Sequence, residues 1–490
     1  MTRNRLTLRA LLISSLLISL LVSQGLAFRP YLAPDSAEQS AARIAGMILV
    51  NGHSMKYLVG LTDFGGRLTG TTAYNRSAEW AADQFRSAGI KDVRLEPWTL
   101  ASGWDRGWAQ GRIVSPMQRP LHIESLGWAP STPAGGLKAD VVLFSELEPD
   151  KIRAQADKLK GRAMILDLSK VFADGISGFG KLIGAIPVFK EVGVAAIIVS
   201  DSERNNVLNA FGFTWGGATS PLPIAQVGME DGKLLEHLIE KGQVTIEFAY
   251  QNHNTGPVQV NNVIAEIRGR EKPDEWIIVG GHLDSWDYGT GAQDNGSGCA
   301  MVLEAARAIA SMGAPRRSIR FALWGGEEEG VLGSAAYVKS HQSEMGKCVA
   351  VLNTDNGAGH PKGWKVEGRP DLRDAMKSIS ELLTGLGADG LSEQTTFDTD
   401  HGHFMLEGVP ALDLWVDMTH YGEVHHKSSD TIDKVDAHNL AEGAAVCAVT
   451  AWAIAERSEP IAKHIDHEAV VAILKKANLE DFLRVLGVWK

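Results

Sequence analysis

The sequence predicts an α/β fold: a mostly parallel, mixed sheet sandwiched by helices, with an α+β domain inserted into it. Three observations carry this. From Asn262 onward, short apolar runs alternate with helix-length segments. Between about Met117 and Gln251 the rhythm changes to short apolar strands separated by Gly/Pro-rich breaks. A hydrophobic content of 44% in 490 residues supports more than one sizeable core. Strand–helix alternation of this kind belongs to parallel sheets covered on both faces.

The chain opens on a targeting pattern. Arg3, Arg5 and Arg9 precede an apolar run from Ala10 to Val22, and Gly25-Leu26-Ala27 supplies small residues for cleavage. The run is short for a bilayer crossing, which takes about 20 residues. Residues 1–27 are therefore expected to be removed as a signal peptide, giving a secreted or periplasmic protein with no stable membrane span. An uncleaved N-terminal anchor is the alternative.

Residues 28–116 are expected to begin the catalytic domain. The segment 37–60 reads as helical, Trp80, Ala81, Phe85 and Ala88 share a helical face before Gly89, and Asp92 to Leu100 alternates like a strand. Residues 117–251 are read as the inserted domain. Its strands are expected at Leu121 to Gly127, Ala139 to Phe144, Gly161 to Leu168 and Val194 to Ser200. Its helices are expected at Pro149 to Lys160, Lys181 to Val192 and Met229 to Lys241, and it carries no metal-ligand spacing. Residues 252–457 complete the catalytic domain, and 458–490 read as a helical C-terminal tail. Within 252–457 the strands fall at Val263 to Ile267, Trp276 to Gly281, Ser318 to Trp324, Val349 to Thr354 and Ala411 to Val416. Helices follow at Ser297 to Met312, Leu332 to Ser340, Asp371 to Leu386 and Asp436 to Arg457.

Composition narrows the chemistry. Lys and Arg total 48 against 59 Asp and Glu, a formal charge of −11 with no Lys/Arg-dense block, so no nucleic-acid partner is expected. Cys299, Cys348 and Cys447 have no close spacing, which excludes a disulfide scaffold and a thiolate zinc site. They read as buried small hydrophobes, with one pair free to bridge.

The residues that carry chemistry stand where strands end, as expected for sites in open parallel sheets. The strand Trp276 to Gly281 runs into His282 and Asp284, which share a side; such a pair suits a metal-binding imidazole supported by a carboxylate. Asp294 lies in a glycine-rich turn just before the helix that Ser297 opens. After Trp324 come two glycines and the triplet Glu327, Glu328 and Glu329, which is costly behind a buried strand unless cations compensate it. Asp355 follows the next strand, and His425, His426 and Asp430 share the loop after the last, with His426 and Asp430 spaced as a ligand and its orienting partner. Taken singly, each has a bland reading as a cap or a solvated loop. Together they are oxygen and nitrogen ligands without sulfur, suited to catalytic zinc. They are more numerous than one tetrahedral ion needs, and fit two metals sharing a carboxylate at ~3.5–4 Å.

These motifs resemble the co-catalytic zinc exopeptidases, and within them the carboxypeptidase Q group. The resemblance rests on Gly281-His-Leu-Asp-Ser-Trp-Asp-Tyr-Gly-Thr-Gly-Ala-Gln-Asp294, Leu323-Trp-Gly-Gly-Glu-Glu-Glu-Gly330 and His425-His-Lys-Ser-Ser-Asp-Thr431, and more loosely on Gly65 to Gly70, Trp104 to Gly107, Gly193 to Ile198 and Asp400-His401. It implies two zinc ions per chain: His282 and Asp355 on one, Glu328 and His426 on the other, and Asp294 bridging. It implies Glu327 as general base and Asp284 as the carboxylate behind His282, and it makes the insertion similar to a protease-associated domain. Glu329 lengthens the usual acidic pair by one, and the downstream Gly330 sets the register. The substrates implied are dipeptides or short peptides cleaved by a dipeptidase or carboxypeptidase, with an aminopeptidase of the same family as the alternative. A homodimer is allowed. A one-zinc acyltransferase like glutaminyl cyclase would not need the full ligand set, and a non-catalytic ectodomain would have lost some of it. Arg67, Arg106 and Lys427 are the candidate cations for a substrate carboxylate.

Overall fold

Side chains alternate across the strand Lys272–His282, and this divides the main core in two. Ile277 and Val279 join one buried cluster with Phe321, Leu323 and Leu352. Trp276 and Ile278 join another with Ala322, Trp324 and Val351. A strand buried on both faces must be apolar throughout, which is why these segments read as unbroken hydrophobic runs. The computed structural model describes residues 35–488, except 172, 174, 175, 215 and 486; residues 1–27, expected to be a signal peptide, lie outside the described residues.

The main sheet has eight strands, in the spatial order Asp92–Leu100, Val258–Ile267, Arg317–Trp324, Lys272–His282, Cys348–Asn353, Ala411–Val416, Pro361–Lys365 and Gly390–Ser392. The four central strands, Arg317–Trp324 to Ala411–Val416, run parallel. Antiparallel pairings flank them: Asp92–Leu100 on Val258–Ile267, the latter on Arg317–Trp324, and Pro361–Lys365 on Ala411–Val416. The sheet is therefore mixed, parallel at its centre and covered by helices.

The long helices Ser297–Met312 and Ala437–Glu456 pack together on one face. Small residues allow the first to sit close: a Cβ on Gly298 would lie 2.2 Å from the carbonyl oxygen of Thr354. Asp436 caps the second helix, accepting from the amides of His438 and Asn439 at 2.9 Å each. On the other face Tyr337 and Phe404 pack against Trp324. The C-terminal helices His467–Lys476 and Glu480–Val485 add Val470, Leu474 and Leu483 to that same cluster.

A second eight-stranded sheet draws its strands from Ala109 to Tyr250. Leu137–Leu143, Ala163–Asp167, Ala196–Ser200 and Ile224–Val227 are its parallel centre. Its first strand, Ala109–Ser115, starts ahead of the expected boundary at Met117, because its mixed pattern gives no apolar run. Strands Ile224–Val227, Pro361–Lys365 and Gly390–Ser392, short or interrupted by Gly and Pro, add to the expected ones, as does Thr245–Tyr250, whose alternating pattern buries every second residue. The helix expected over 37–60 divides into Ala37–Asn51 and Ser54–Thr62. That expected over Asp371 to Leu386 tightens into a 3₁₀ turn from Glu381, stopped by Gly387 at φ +66°.

Candidate metal centre

Parallel strands deliver their following residues to one end of the sheet, and the main sheet does this with His282, Glu327, Glu328 and Asp355. The turn Ala292–Gly296 brings in Asp294, and the loop after Ala411–Val416 brings in His425 and His426. His282 Nε2 lies 3.0 Å from Asp355 Oδ1, 3.2 Å from Asp294 Oδ1 and 4.0 Å from Glu327 Oε2. His426 Nε2 lies 3.0 Å from Glu328 Oε2 and 3.4 Å from Asp294 Oδ2. Asp294 thus turns one oxygen to each imidazole. Among the described residues, two groups have donor atoms close enough to hold a metal ion: His282, Asp294 and Asp355, and Asp294, His425 and His426.

The surrounding residues orient these side chains. His282 Nδ1 is 3.0 Å from the backbone carbonyl of Asp284 and 3.6 Å from its carboxylate. With Nδ1–H donating there, Nε2 would be the atom offered to a metal between Asp294 and Asp355; against burial, Asp355 and Glu327 hold the imidazole well above its usual range. Asp284 Oδ2 accepts from Thr69 Oγ1 at 3.0 Å and from the amide of Glu328 at 3.2 Å, linking the His282 strand end to the acidic loop. Asp430 departs from the sequence reading. It does not orient His426; its carboxylate accepts from the amides of Gln293 (2.7 Å) and Asp294 (3.1 Å) and so shapes the turn that carries Asp294.

The electrostatics call for cations. Burial holds the Glu327 carboxyl well above the usual range, with Asp355 and Glu328 adding to the effect against the pull of His282. Burial and Asp294 do the same to Glu328, and burial raises Asp355. Burial pushes Asp400, behind the site, up to about 7. Asp294 goes the other way despite its burial, held low by His282 and His425. Burial lowers both His425, to about 4, and His426, keeping their rings neutral as metal ligands must be. Glu328 Oε1 and both oxygens of Glu329 are buried without a hydrogen-bond partner. Buried carboxylates at this density are stable as anions only beside compensating positive charge, and divalent ions supply it. The donor set of imidazole and carboxylate suits zinc.

The site opens into a cavity of about 680 Å³. Trp128, Phe179 and Phe211 of the second sheet's region line it, opposite Asp294, Glu327 and His426. The three cations singled out from sequence are committed elsewhere. Arg67 is buried and donates to the carbonyls of Leu283, Thr290 and Gly291. Arg106 forms a two-pronged pair with Asp287, at 2.7 and 2.9 Å. Lys427 pairs with Glu203 at 3.1 Å. Among the described residues, Lys365 is the one Lys or Arg on the cavity wall; its Nζ lies 2.8 Å from Asp413 and 3.4 Å from Asn356 Oδ1. Sequence reasoning missed it because Pro361 and Gly363 obscure the strand that carries it.

Known peptidases are similar to this chain in sequence and fold. Residues 262–451 match peptidase family M28. Carboxypeptidase Q from Xenopus laevis is 28% identical over 403 residues, covering 81% of this chain and 84% of that protein. A peptidase M28 precursor from Shewanella amazonensis superposes with a TM-score of 0.76 at 29% identity, covering 88% of this chain and 99% of that one. A zinc aminopeptidase from Bacillus subtilis shares the fold, with a TM-score of 0.64 at 20% identity over 85% of this chain and 98% of that one. Match, fold and donor set agree: the chain is similar to family M28 over residues 262–451 and is a zinc metallopeptidase, an exopeptidase acting on peptides.

Proposed function

We propose that the protein is an exported dipeptidase or carboxypeptidase of the carboxypeptidase Q kind, working with two zinc ions. The observation that carries the pair is Asp294, whose two oxygens face His282 and His426 at 3.2 and 3.4 Å. In this reading His282 and Asp355 hold one ion, Glu328 and His426 the other, and Asp294 bridges. His425, whose ring stacks on His426 at 3.8 Å between centroids, is then a neighbour of the second site. Bound zinc polarises a peptide carbonyl and acidifies water. Glu327, standing off His282 at 4.0 Å, takes up the proton of the attacking water and delivers it to the leaving amine. Asp284 fixes His282 through its carbonyl and braces the Glu328 amide through its carboxylate.

The region 117–251 is read as a protease-associated-like domain that walls the cavity and limits substrate length, with Trp128 and Phe211 as its apolar surface. A cavity of about 680 Å³ suits a short peptide. Lys365, the lone Lys or Arg on the described wall, is read as the group that meets the substrate's free carboxylate. Assays on dipeptides that are free, N-acetylated or C-amidated check this. C-amidation should raise KM about tenfold or more, the size of a lost charge-assisted hydrogen bond, and Lys365→Met should erase the difference between acid and amide. If amides are cleaved as well as acids while N-acetylation blocks turnover, the aminopeptidase reading takes its place.

Export rests on the pattern of residues 1–27. Among the described residues no helix is long and apolar enough to cross a membrane. N-terminal sequencing of the native protein should begin near Phe28; Met1 retained in a membrane fraction would favour the anchor.

A further inference from the structure

One loop of the second sheet reaches the metal centre. We propose that residues 201–210 form a positioning element for His426 that sets the affinity of the second zinc, an inference resting on the two-zinc reading. Asp201 follows the strand Ala196–Ser200 and is 1% exposed. Its carboxylate accepts from the amides of Ser202 (2.6 Å), Glu203 (3.0 Å) and Asn209 (2.8 Å), and from the side chains of Asn209 (2.8 Å) and Gln226 (3.1 Å). Five donors on one carboxylate tie the loop's start to its end, which fixes where residue 210 emerges.

At that exit Asn209 forms an antiparallel bridge with Lys427, and the Ala210 amide donates to the His426 carbonyl at 2.6 Å. Lys427, 5% exposed, reaches back to Glu203 of the same loop at 3.1 Å. His426 has φ +60°, in the left-handed region that L side chains rarely adopt. Such a conformation persists where the surroundings over-determine it, and here the 201–210 loop does so. A second strap lies close by: the Gly216 amide donates to the carbonyl of Glu329, next in chain to Glu328, at 2.9 Å. Both segments carrying the second site's own ligands are therefore tethered by backbone from the second sheet's region. His282 and Asp355, by contrast, face each other at 3.0 Å, and His282 is held by the Asp284 carbonyl and by the Cys299 thiol, which donates to its backbone carbonyl. The tether acts on one ion of the pair.

Chelator competition on the zinc-loaded full chain tests this, with hydrogen exchange of the 424–428 amides as a readout independent of activity. Asp201→Asn puts an amide among the donors and should weaken one zinc about tenfold or more, leaving the other unchanged. Glu203→Ala removes an exposed partner of Lys427, spares folding, and should weaken the same zinc about threefold. His426→Ala is the control that removes that zinc altogether. Faster exchange at 424–428 with selective loss of one zinc supports the proposal. Equal weakening of both ions overturns it. So does unchanged affinity in Glu203→Ala, which decides the matter should Asp201→Asn fail to fold. A His426→Ala protein that keeps both zincs removes His426 from the ligand set and overturns this proposal, whereas a native chain that binds a single zinc overturns the two-zinc reading on which it rests.

Discussion

Glu327→Gln is expected to keep its zinc and its fold while kcat falls by ~10²–10⁴-fold, the range attributed to general acid–base transfer. The amide is isosteric, so packing is conserved, and Glu327 Oε2 stands 4.0 Å from His282 Nε2, farther than Asp294 or Asp355. What the amide lacks is the capacity to accept and return a proton. Its neighbour should behave differently. Glu328 Oε2 lies 3.0 Å from His426 Nε2 with its other oxygen buried and unpartnered, so Glu328→Gln should lose affinity for one metal along with turnover. Zinc analysis and steady-state kinetics on the two variants separate the roles. Zinc lost from Glu327→Gln but retained in an inactive Glu328→Gln would exchange the two assignments. Activity retained in both would contradict the mechanism.

The fold class and the strand-end constellation were legible because they follow from local periodicity. Trp276 to Gly281 and Phe321 to Trp324 are buried on both faces, so each is an apolar run that ends where its polar residues begin. His282, Glu327, Glu328 and Asp355 stand just past such runs, and a chain reading finds them without knowing which strands pair. What holds them was not legible. Thr69 braces Asp284 from 215 residues away, and Ala210 meets His426 from the loop after Ala196–Ser200. No spacing rule links residues that only tertiary packing joins. The spacing of His426 and Asp430 suggested a ligand and its partner, yet the chain turns between them and Asp430 serves the Asp294 turn. Arg67 and Arg106 were candidate cations for a substrate carboxylate; three carbonyls take up the first, and Asp287 the second. Lys365 was hidden in a strand whose Pro and Gly mimic a loop.

Asp294→Ala should have the widest effect of any single ligand change. His282 and His426 both address this carboxylate, so on the proposed two-zinc reading its removal would take a donor from each ion and the charge that keeps the two cations close. His426→Ala, in contrast, strips a donor from one ion alone. Asp294→Ala should therefore lose zinc from both sites and fall below measurable turnover. Its fold should survive, since the turn around it is held by Asp430 through the backbone amides of residues 293 and 294. The most direct measurement is the zinc content of the mature native protein set beside that of Asp294→Ala, each determined by elemental analysis against protein concentration. Two zinc ions per native chain, both depleted in the variant, is the predicted result. One ion per native chain, or undiminished zinc in Asp294→Ala, would contradict the bridged pair.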